Sequence, residues 1–296
     1  MTREAQSGNP DFSDEKERIS MKIRYLGTAA AEGWPALFCT CKACKLAREK
    51  GGRNIRTRSQ SIIDDRLLID FSADTYWHFI KNDIKMDEIG ACIITHSHED
   101  HLYAEDFCNR RTGFAYLDEG SAEYLTVYGT QRPVQKVTEA TSRCAPDRIH
   151  TGVLERFKTV KIDGYDVTPM DADHDPYADS VIYIIERDGK ALLYAHDTGI
   201  FPETDWEYMT ARGIRFDFAS LDCTGGLYAQ YERGHMGTNA CEKVKARMIA
   251  EGLADDKTVF CLNHFSHNGG AIYDEIAPVM GEKGFLVSFD GMEVEF

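Results

Sequence analysis

The stretch Ile93-Ile94-Thr95-His96-Ser97-His98-Glu99-Asp100-His101 decides how the rest of the chain is read. An apolar, strand-like run ends, and four potential metal ligands follow within six residues: His96, His98, Asp100 and His101. Imidazole suits zinc and related transition metals, and a mixed imidazole and carboxylate set also suits manganese or iron. Two histidines spaced i, i+2 at a strand end can point to one cation, and the adjacent Asp100-His101 pair can reach a second. The plain alternative is a solvated polar loop with coincidental histidines. Three of the chain's ten histidines crowd into these six residues after a buried-looking strand, which argues against it.

Working outward, three more candidates stand just beyond apolar runs. His174 follows Val167-Thr168-Pro169-Met170, Asp197 follows Leu192-Leu193-Tyr194-Ala195, and His264 follows Val259-Phe260-Cys261-Leu262-Asn263. Taken singly, each has an ordinary reading: a loop histidine, a turn cap before Gly199, a hydrogen-bonded core histidine. Loops beyond strands are where a fold gathers residues distant in sequence. Alternation and turn signals predict strands at 22–26, 61–64, 67–70, 91–95, 124–128, 165–170, 180–186, 191–195, 216–221, 258–262 and 284–288. Asp188-Gly189 reads as a two-residue hairpin turn. Helices are predicted at 41–50, 74–82, 131–142, 204–212 and 238–251. Strands outnumber helices and include hairpins, so two mixed sheets sandwiched by helices fit better than one parallel sheet.

Composition narrows the function. The 296 residues are 43% hydrophobic, ample for a core, and carry a formal net charge of −15. Such a field disfavours nucleic acid and anionic lipid and suits a small-molecule substrate. No apolar run reaches the roughly 18 residues of a membrane helix. No basic start followed by an apolar stretch marks a secretory signal. Residues 1–20 are polar and are expected to form a loose tail, with Met21 as a second starting methionine and 21–296 as one domain. Nine cysteines, six of them scattered, suggest a reducing, cytoplasmic setting without a disulfide framework. The other three cluster at Cys39, Cys41 and Cys44.

The motif His96-Ser97-His98-Glu99-Asp100-His101 resembles the HxHxDH signature of the metallo-β-lactamase superfamily, and His174, Asp197 and His264 follow in the order of its remaining ligands. The resemblance covers Lys22 to Phe296. It implies an αββα sandwich of two mixed sheets with a dinuclear site at one edge. His96, His98 and His174 would hold one metal, Asp100, His101 and His264 the other, and Asp197 would bridge them. A narrower resemblance, to the PhnP-like branch of phosphoribosyl cyclic phosphodiesterases, rests on several further stretches. These are Gly27-Thr28-Ala29, Glu32-Gly33-Trp34-Pro35, Cys39-x-Cys41-x-x-Cys44, Arg58-x-Gln60-Ser61, Leu221-Asp222-Cys223, His264-x-x-His267 and Phe289-Asp290-Gly291-Met292-Glu293. The pyrroloquinoline quinone biosynthesis protein B is similar at the N-terminal cysteines but departs from the full ligand set that this chain keeps.

Three thiolates leave one corner of a tetrahedral zinc site open. The branch resemblance fills it with His267, so Cys39, Cys41, Cys44 and His267 would hold a structural zinc. The same resemblance suggests a catalytic histidine near Arg233-Gly234-His235-Met236-Gly237, making His235 the candidate acid for a leaving alkoxide, with an exposed loop histidine as the alternative. Arg110, Arg111 and Tyr116 are candidate substrate contacts or plain surface groups. His196 stands where relatives carry a small hydroxyl residue, Asp222 either caps a strand end or orients a ligand, and His78 and His150 read as structural or exposed.

The expected cofactors are therefore two divalent cations (zinc, manganese or iron) and one structural zinc. The expected function is hydrolysis of small or cyclic phosphodiesters by attack of a metal-bridging hydroxide. Hydrolysis of carboxylic esters, thioesters or lactones is the competing enzyme reading. A non-catalytic metal-binding accessory protein of a biosynthetic pathway is the competing non-enzyme one. Homodimer formation stays open.

Overall fold

The computed structural model describes residues 20–296, so the expected tail over residues 1–20 lies outside the described residues apart from Ser20. In chain order the first half holds β1 (Lys22–Gly27), α1 (Lys42–Lys50), β2 (Gln60–Ile63), β3 (Leu67–Ile69), α2 (Thr75–Asn82), β4 (Ala91–Ile93), β5 (Leu125–Gly129), α3 (Gln131–Thr141) and β6 (Ile149–Val153). The second half holds β7 (Val160–Ile162), β8 (Tyr165–Asp171), β9 (Val181–Arg187), β10 (Lys190–Ala195), α4 (Glu203–Arg212), β11 (Phe218–Asp222), α5 (Thr238–Ala250), β12 (Val259–Asn263), α6 (Tyr273–Glu282), β13 (Leu286–Val287) and β14 (Met292–Glu295).

Two seven-stranded sheets result, ordered β14-β1-β2-β3-β4-β5-β6 and β13-β12-β11-β10-β9-β8-β7. Both are mixed. In the first, β3, β4 and β5 run parallel while β1 and β2 are antiparallel neighbours. In the second, β10, β11 and β12 are parallel, and β8, β9 and β10 are antiparallel. Asp188 and Gly189 close the β9–β10 hairpin at φ 51° and 81°, the left-handed conformation that favours Asp-Gly in such turns.

Three apolar layers explain why the strands read as near-continuous hydrophobic runs. Tyr25, Ile69 and Ile93 of the first sheet meet Tyr183, Leu192 and Phe218 of the second between the sheets. The outer face of the second sheet buries Leu193, Leu221 and Leu262 against Trp206 of α4, Val244 of α5 and Ile276 of α6. The outer face of the first buries Leu68 and Val127 against Val137 of α3. Strands covered on both faces have little need of polar alternation. Among the described residues no helix is long and apolar enough to cross a membrane.

One cysteine expectation needs correction. Cys108 and Cys144 form a disulfide, with Cα atoms 5.7 Å apart. The 3-10 turn Ala104–Arg110 packs on α3 and carries two thiols 36 residues apart in sequence to bonding distance. The other seven cysteines are free.

Candidate metal centre

Every expected ligand lies beyond a strand end, and the ends of β3 and β4 from one sheet meet those of β10, β11 and β12 from the other. Asp70, Asp197 and His264 turn the chain there with left-handed backbone, at φ 66°, 50° and 61°. Non-glycine residues adopt this conformation at a cost, and they do so preferentially where function constrains the chain.

The geometry gathers the candidates into overlapping groups that include the expected sets, together with His96, His101 and Asp197 and with Asp197, Asp222, His235 and His264. Ligand atoms of His96, His98 and His174 lie within 4.8 Å of one another, as do those of Asp100, His101 and His264. Asp197 sits between them, with Oδ2 2.9 Å from both His101 Nε2 and His264 Nε2 and Oδ1 3.7 Å from His174 Nε2. The imidazoles face one another with nitrogen against nitrogen: His96 Nε2 to His98 Nδ1 3.0 Å, His98 Nδ1 to His174 Nε2 3.4 Å, His101 Nε2 to His264 Nε2 3.2 Å.

The far nitrogen of each ring is anchored. His101 Nδ1 donates to Asp70 Oδ2 at 2.7 Å, His174 Nδ1 to the Gly234 carbonyl at 3.1 Å, and His98 Nε2 to Asp175 at 3.1 Å. His96 Nδ1 and His264 Nδ1 reach the hydroxyls of Thr95 and Thr224 at 3.0 and 2.8 Å. Such anchoring leaves the inward nitrogen unprotonated and aimed, the arrangement of metal-ligating histidines. Asp197 Oδ2 is buried, and apart from the inward nitrogens of His101 and His264 it meets no hydrogen-bond donor among the described residues. Converging lone pairs and a buried carboxylate oxygen fit divalent cations.

The electrostatics agree. Burial alone would depress His101, but Asp197, Asp100 and Asp70 hold its pKa well above the ordinary histidine value. Burial opposes ionisation of Asp197, yet His264 and His101 hold it well below the carboxylate range. The cluster thus concentrates negative charge that protons or cations must neutralise.

A cavity of about 440 Å³ opens on this cluster and is lined by His98, Asp100, His174, Asp197, Arg233 and His235, among others. His235 Nδ1 donates to the fully buried Asp222 at 3.1 Å. Burial lowers the pKa of His235, but Asp222 and then Asp197 more than offset it, so the net shift is upward. Asp222 also accepts from the Asp197 amide and from Thr224 and Met236, so one carboxylate ties together the loops of Asp197, His264 and His235. Gly199 is required here, because a side chain would collide with Asp173 and the Glu232 carbonyl. Asp173 in turn grips Arg233 at 2.6 and 2.8 Å and points the loop at the cavity.

Arg110 and Arg111 take a different place. Arg110 donates to the carbonyls of Met86 and Ala122, and Arg111 stacks at 3.5 Å on Phe114. Arg110 lines a separate, largely apolar hollow of about 300 Å³ with Phe71, Tyr76, Phe107 and Tyr116. The turn Ala104–Arg110 carries the chain away from the cluster, so closeness in sequence to His101 does not become closeness in space. The arginines that line the metal-side cavities are Arg233 and Arg58. Sequence reasoning also passed over Asp70, although it stands beyond a strand like every other candidate. Of the remaining histidines, His78 is buried between Gln60 and Thr57, and His150 is exposed.

The second cluster forms at the start of α1. Cys39 Sγ and Cys41 Sγ lie 3.6 and 3.5 Å from His267 Nδ1, and the four ligand atoms including Cys44 Sγ fall within 4.8 Å. Backbone amides of Cys41, Cys44 and Ala36 each donate to a sulfur at 3.4 Å. Burial opposes the Cys41 thiolate, but the Cys44 amide and His267 favour it, and its pKa falls to about 6. Amides aimed at sulfur favour thiolate, which is the zinc-binding form.

Residues 65–259 match the family described as Beta-lactamase superfamily domain. No curated protein sequence matches the chain. The fold is similar to that of Zn(2+)-bound PqqB from Methylobacterium extorquens, at 21% identity, TM-score 0.72, and coverage of 92% of this chain and 99% of that one. It is also similar to a diphosphatase from the PhnP family, at 16% identity, TM-score 0.68 and coverage of 94% and 98%. Human tRNase Z, short form, aligns at 15% identity, TM-score 0.61 and coverage of 92% and 98%. With the match spanning more than half of its length and two mixed sheets flanked by helices, the chain belongs to the beta-lactamase superfamily and has the metallo-β-lactamase fold.

Proposed function

We propose that the protein is a metal-dependent hydrolase of small or cyclic phosphodiesters. The observation that carries this reading is the juxtaposition of a two-set cation cluster with His235, a histidine held by Asp222 at the wall of the same cavity. His96, His98 and His174 would hold one cation, Asp100, His101 and His264 a second, and Asp197 both. When bound, these cations make hydroxide available near neutral pH and neutralise charge growing on a phosphoryl group.

The chain's own groups then have separate tasks. Asp70, Thr95, Asp175 and Thr224 keep the inward nitrogens aimed. Asp222 keeps the proton of His235 Nδ1 in place and favours the charged ring. His235 Nε2–H then gives its proton to the departing alkoxide, leaving a neutral ring whose Nδ1–H still donates to Asp222. Arg233, fixed by Asp173, places a positive charge at the cavity wall where a phosphodiester anion would enter. Similarity in fold to a diphosphatase of the PhnP family and to tRNase Z supports phosphoryl chemistry over acyl chemistry.

The test is a substrate panel on zinc- and manganese-loaded protein: a ribose cyclic phosphodiester, an aryl phosphodiester, a thioester and a lactone. Turnover of the phosphodiesters above the other two by a factor of a hundred or more is the expected result. Preference for thioester or lactone would transfer the assignment to acyl chemistry. No turnover of any, with both sets loaded, would favour an accessory protein.

A further inference from the structure

Two residues with no role in the chemistry above stand immediately before two of the candidate ligands. His196 precedes Asp197, and Asn263 precedes His264. Both are buried, at 1% and 0% exposure. Asn263 Nδ2 donates to His196 Nδ1 at 3.2 Å. The orientation of the amide is fixed, because its Oδ1 accepts from Ser288 Oγ at 2.5 Å and leaves the NH2 facing the imidazole. With Nδ1 accepting, His196 carries its proton on Nε2 and donates to Ser220 Oγ at 2.7 Å. Ser220 lies on β11, two residues before Asp222, and its hydroxyl meets Tyr25 OH of β1 at 2.6 Å. The imidazole is wedged against the Tyr194 ring, centroids 4.0 Å apart.

We propose that His196 is a positioning residue: its bond to Asn263 clips together the backbones on which Asp197 and His264 turn into left-handed conformation, and so presets the spacing of those two cation ligands. The proposal rests on the metal-centre reading above. Asp197 and His264 leave adjacent regions of the second sheet but not adjacent strands, since β11 lies between β10 and β12. A serine or alanine at position 196 ends short of the place where Nδ1 meets Asn263, whereas the imidazole puts Nδ1 there and reaches the Ser220 hydroxyl with Nε2. Every polar partner of the ring is neutral, so the clip holds without changing charge. Its effect on the centre is geometric.

The experiment measures zinc affinity on the full-length protein by chelator competition, without reference to turnover, and adds the absorption spectrum of the cobalt-loaded protein. His196→Ala removes both bonds, Asn263→Ala removes the clip from the other side, and His196→Asn keeps an acceptor close to the position of Nδ1. The expected result is a loss of about 10- to 100-fold in affinity for the weaker zinc in His196→Ala and Asn263→Ala, the range in which outer partners of metal ligands act. The double variant should lose no more than the worse single one, because the two substitutions break the same bond. His196→Asn should recover most of the loss and restore the cobalt spectrum. If wild type takes up fewer than two cations at the nitrogen-rich centre, the metal-centre reading fails and this proposal with it. If wild type takes up both and the variants bind zinc as tightly, while the stripped proteins merely melt earlier, His196 is only a core residue and the proposal is overturned.

Discussion

The centre at the strand ends and the Cys39–Cys41–Cys44–His267 cluster share one turn of chain, residues 264–267, yet the fold uses them in opposite ways. At the strand ends the donors are imidazoles and carboxylates, each ring is anchored from behind, and a cavity of about 440 Å³ opens in front. At the second cluster the donors are three sulfurs and one imidazole, and main-chain amides of the same loop supply the anchoring. An open coordination set beside a proton donor permits turnover, whereas a closed set of four binds a cation and keeps it. The difference lies in donor type and in what stands in front of the cation.

Substitutions that reverse one cluster and spare the other put this contrast to the test. Asp197→Ala should have the largest effect. It removes the oxygen donor proposed to serve both sets, and kcat/KM on any phosphodiester should fall by about 10³-fold or more. Far-UV circular dichroism should stay as in wild type, and the sulfur cluster should still take up zinc. Retention of near-normal turnover would remove Asp197 from the centre. Next comes His235→Ala. Loss of a general acid matters more for a basic leaving group, so a ribose cyclic phosphodiester should slow by about 10²–10⁴-fold and an activated aryl phosphodiester by far less. Equal losses on the two substrates would take His235 out of proton transfer.

Cys41→Ser should act on the other side of the contrast. One zinc per chain should be lost and Tm should drop by several degrees, because a structural metal contributes folding free energy. The kcat of the protein that remains folded should change little. A variant that kept its zinc content and Tm would show that the sulfur cluster holds no metal.

The smallest effect concerns a carboxyl that belongs to neither cluster. Asp205 is fully buried in α4, one oxygen accepting from the Asp171 amide and the other without a donor among the described residues. Burial, then the Asp171 charge, push its pKa up to about 8. A carboxyl raised in the folded state adds stability that is complete below its unfolded pKa, near 4, and is lost as pH rises through about 8. Asp205→Asn should therefore raise Tm by a few degrees at pH 8 and leave it unchanged at pH 4. Parallel melting curves for the two proteins across that range would show that Asp205 ionises normally.

The candidate cluster was legible because strand ends leave a local mark: an apolar run, then a histidine or aspartate. The same rule would have found Asp70. Strands with both faces buried were legible for the same reason, and β10 and β12 are read within a residue or two. Of the edge strands, β13 lies inside the expected stretch 284–288, but β6, β7 and β14 were not legible. In β7 and β14 charged residues interrupt the apolar ones, as sheet edges require. The helix α6 was hidden by Pro278 in its middle, which a single sequence reads as a breaker. The disulfide and the place of Arg110 depend on how the turn Ala104–Arg110 packs on α3, and no local pattern encodes that contact.

The turn that carries both His264 and His267 has one more consequence. The four residues 264–267 could not move independently if His264 and His267 each bind a different cation. Whichever cation arrives first removes the conformational freedom of the whole turn, and the second meets a chain already ordered. Linkage makes the help mutual: if occupancy of the sulfur set tightens the nitrogen set by some factor, occupancy of the nitrogen set tightens the sulfur set by the same factor. Stripping the protein with graded chelator should then release the cation of either set at a lower chelator concentration once the other set has been emptied.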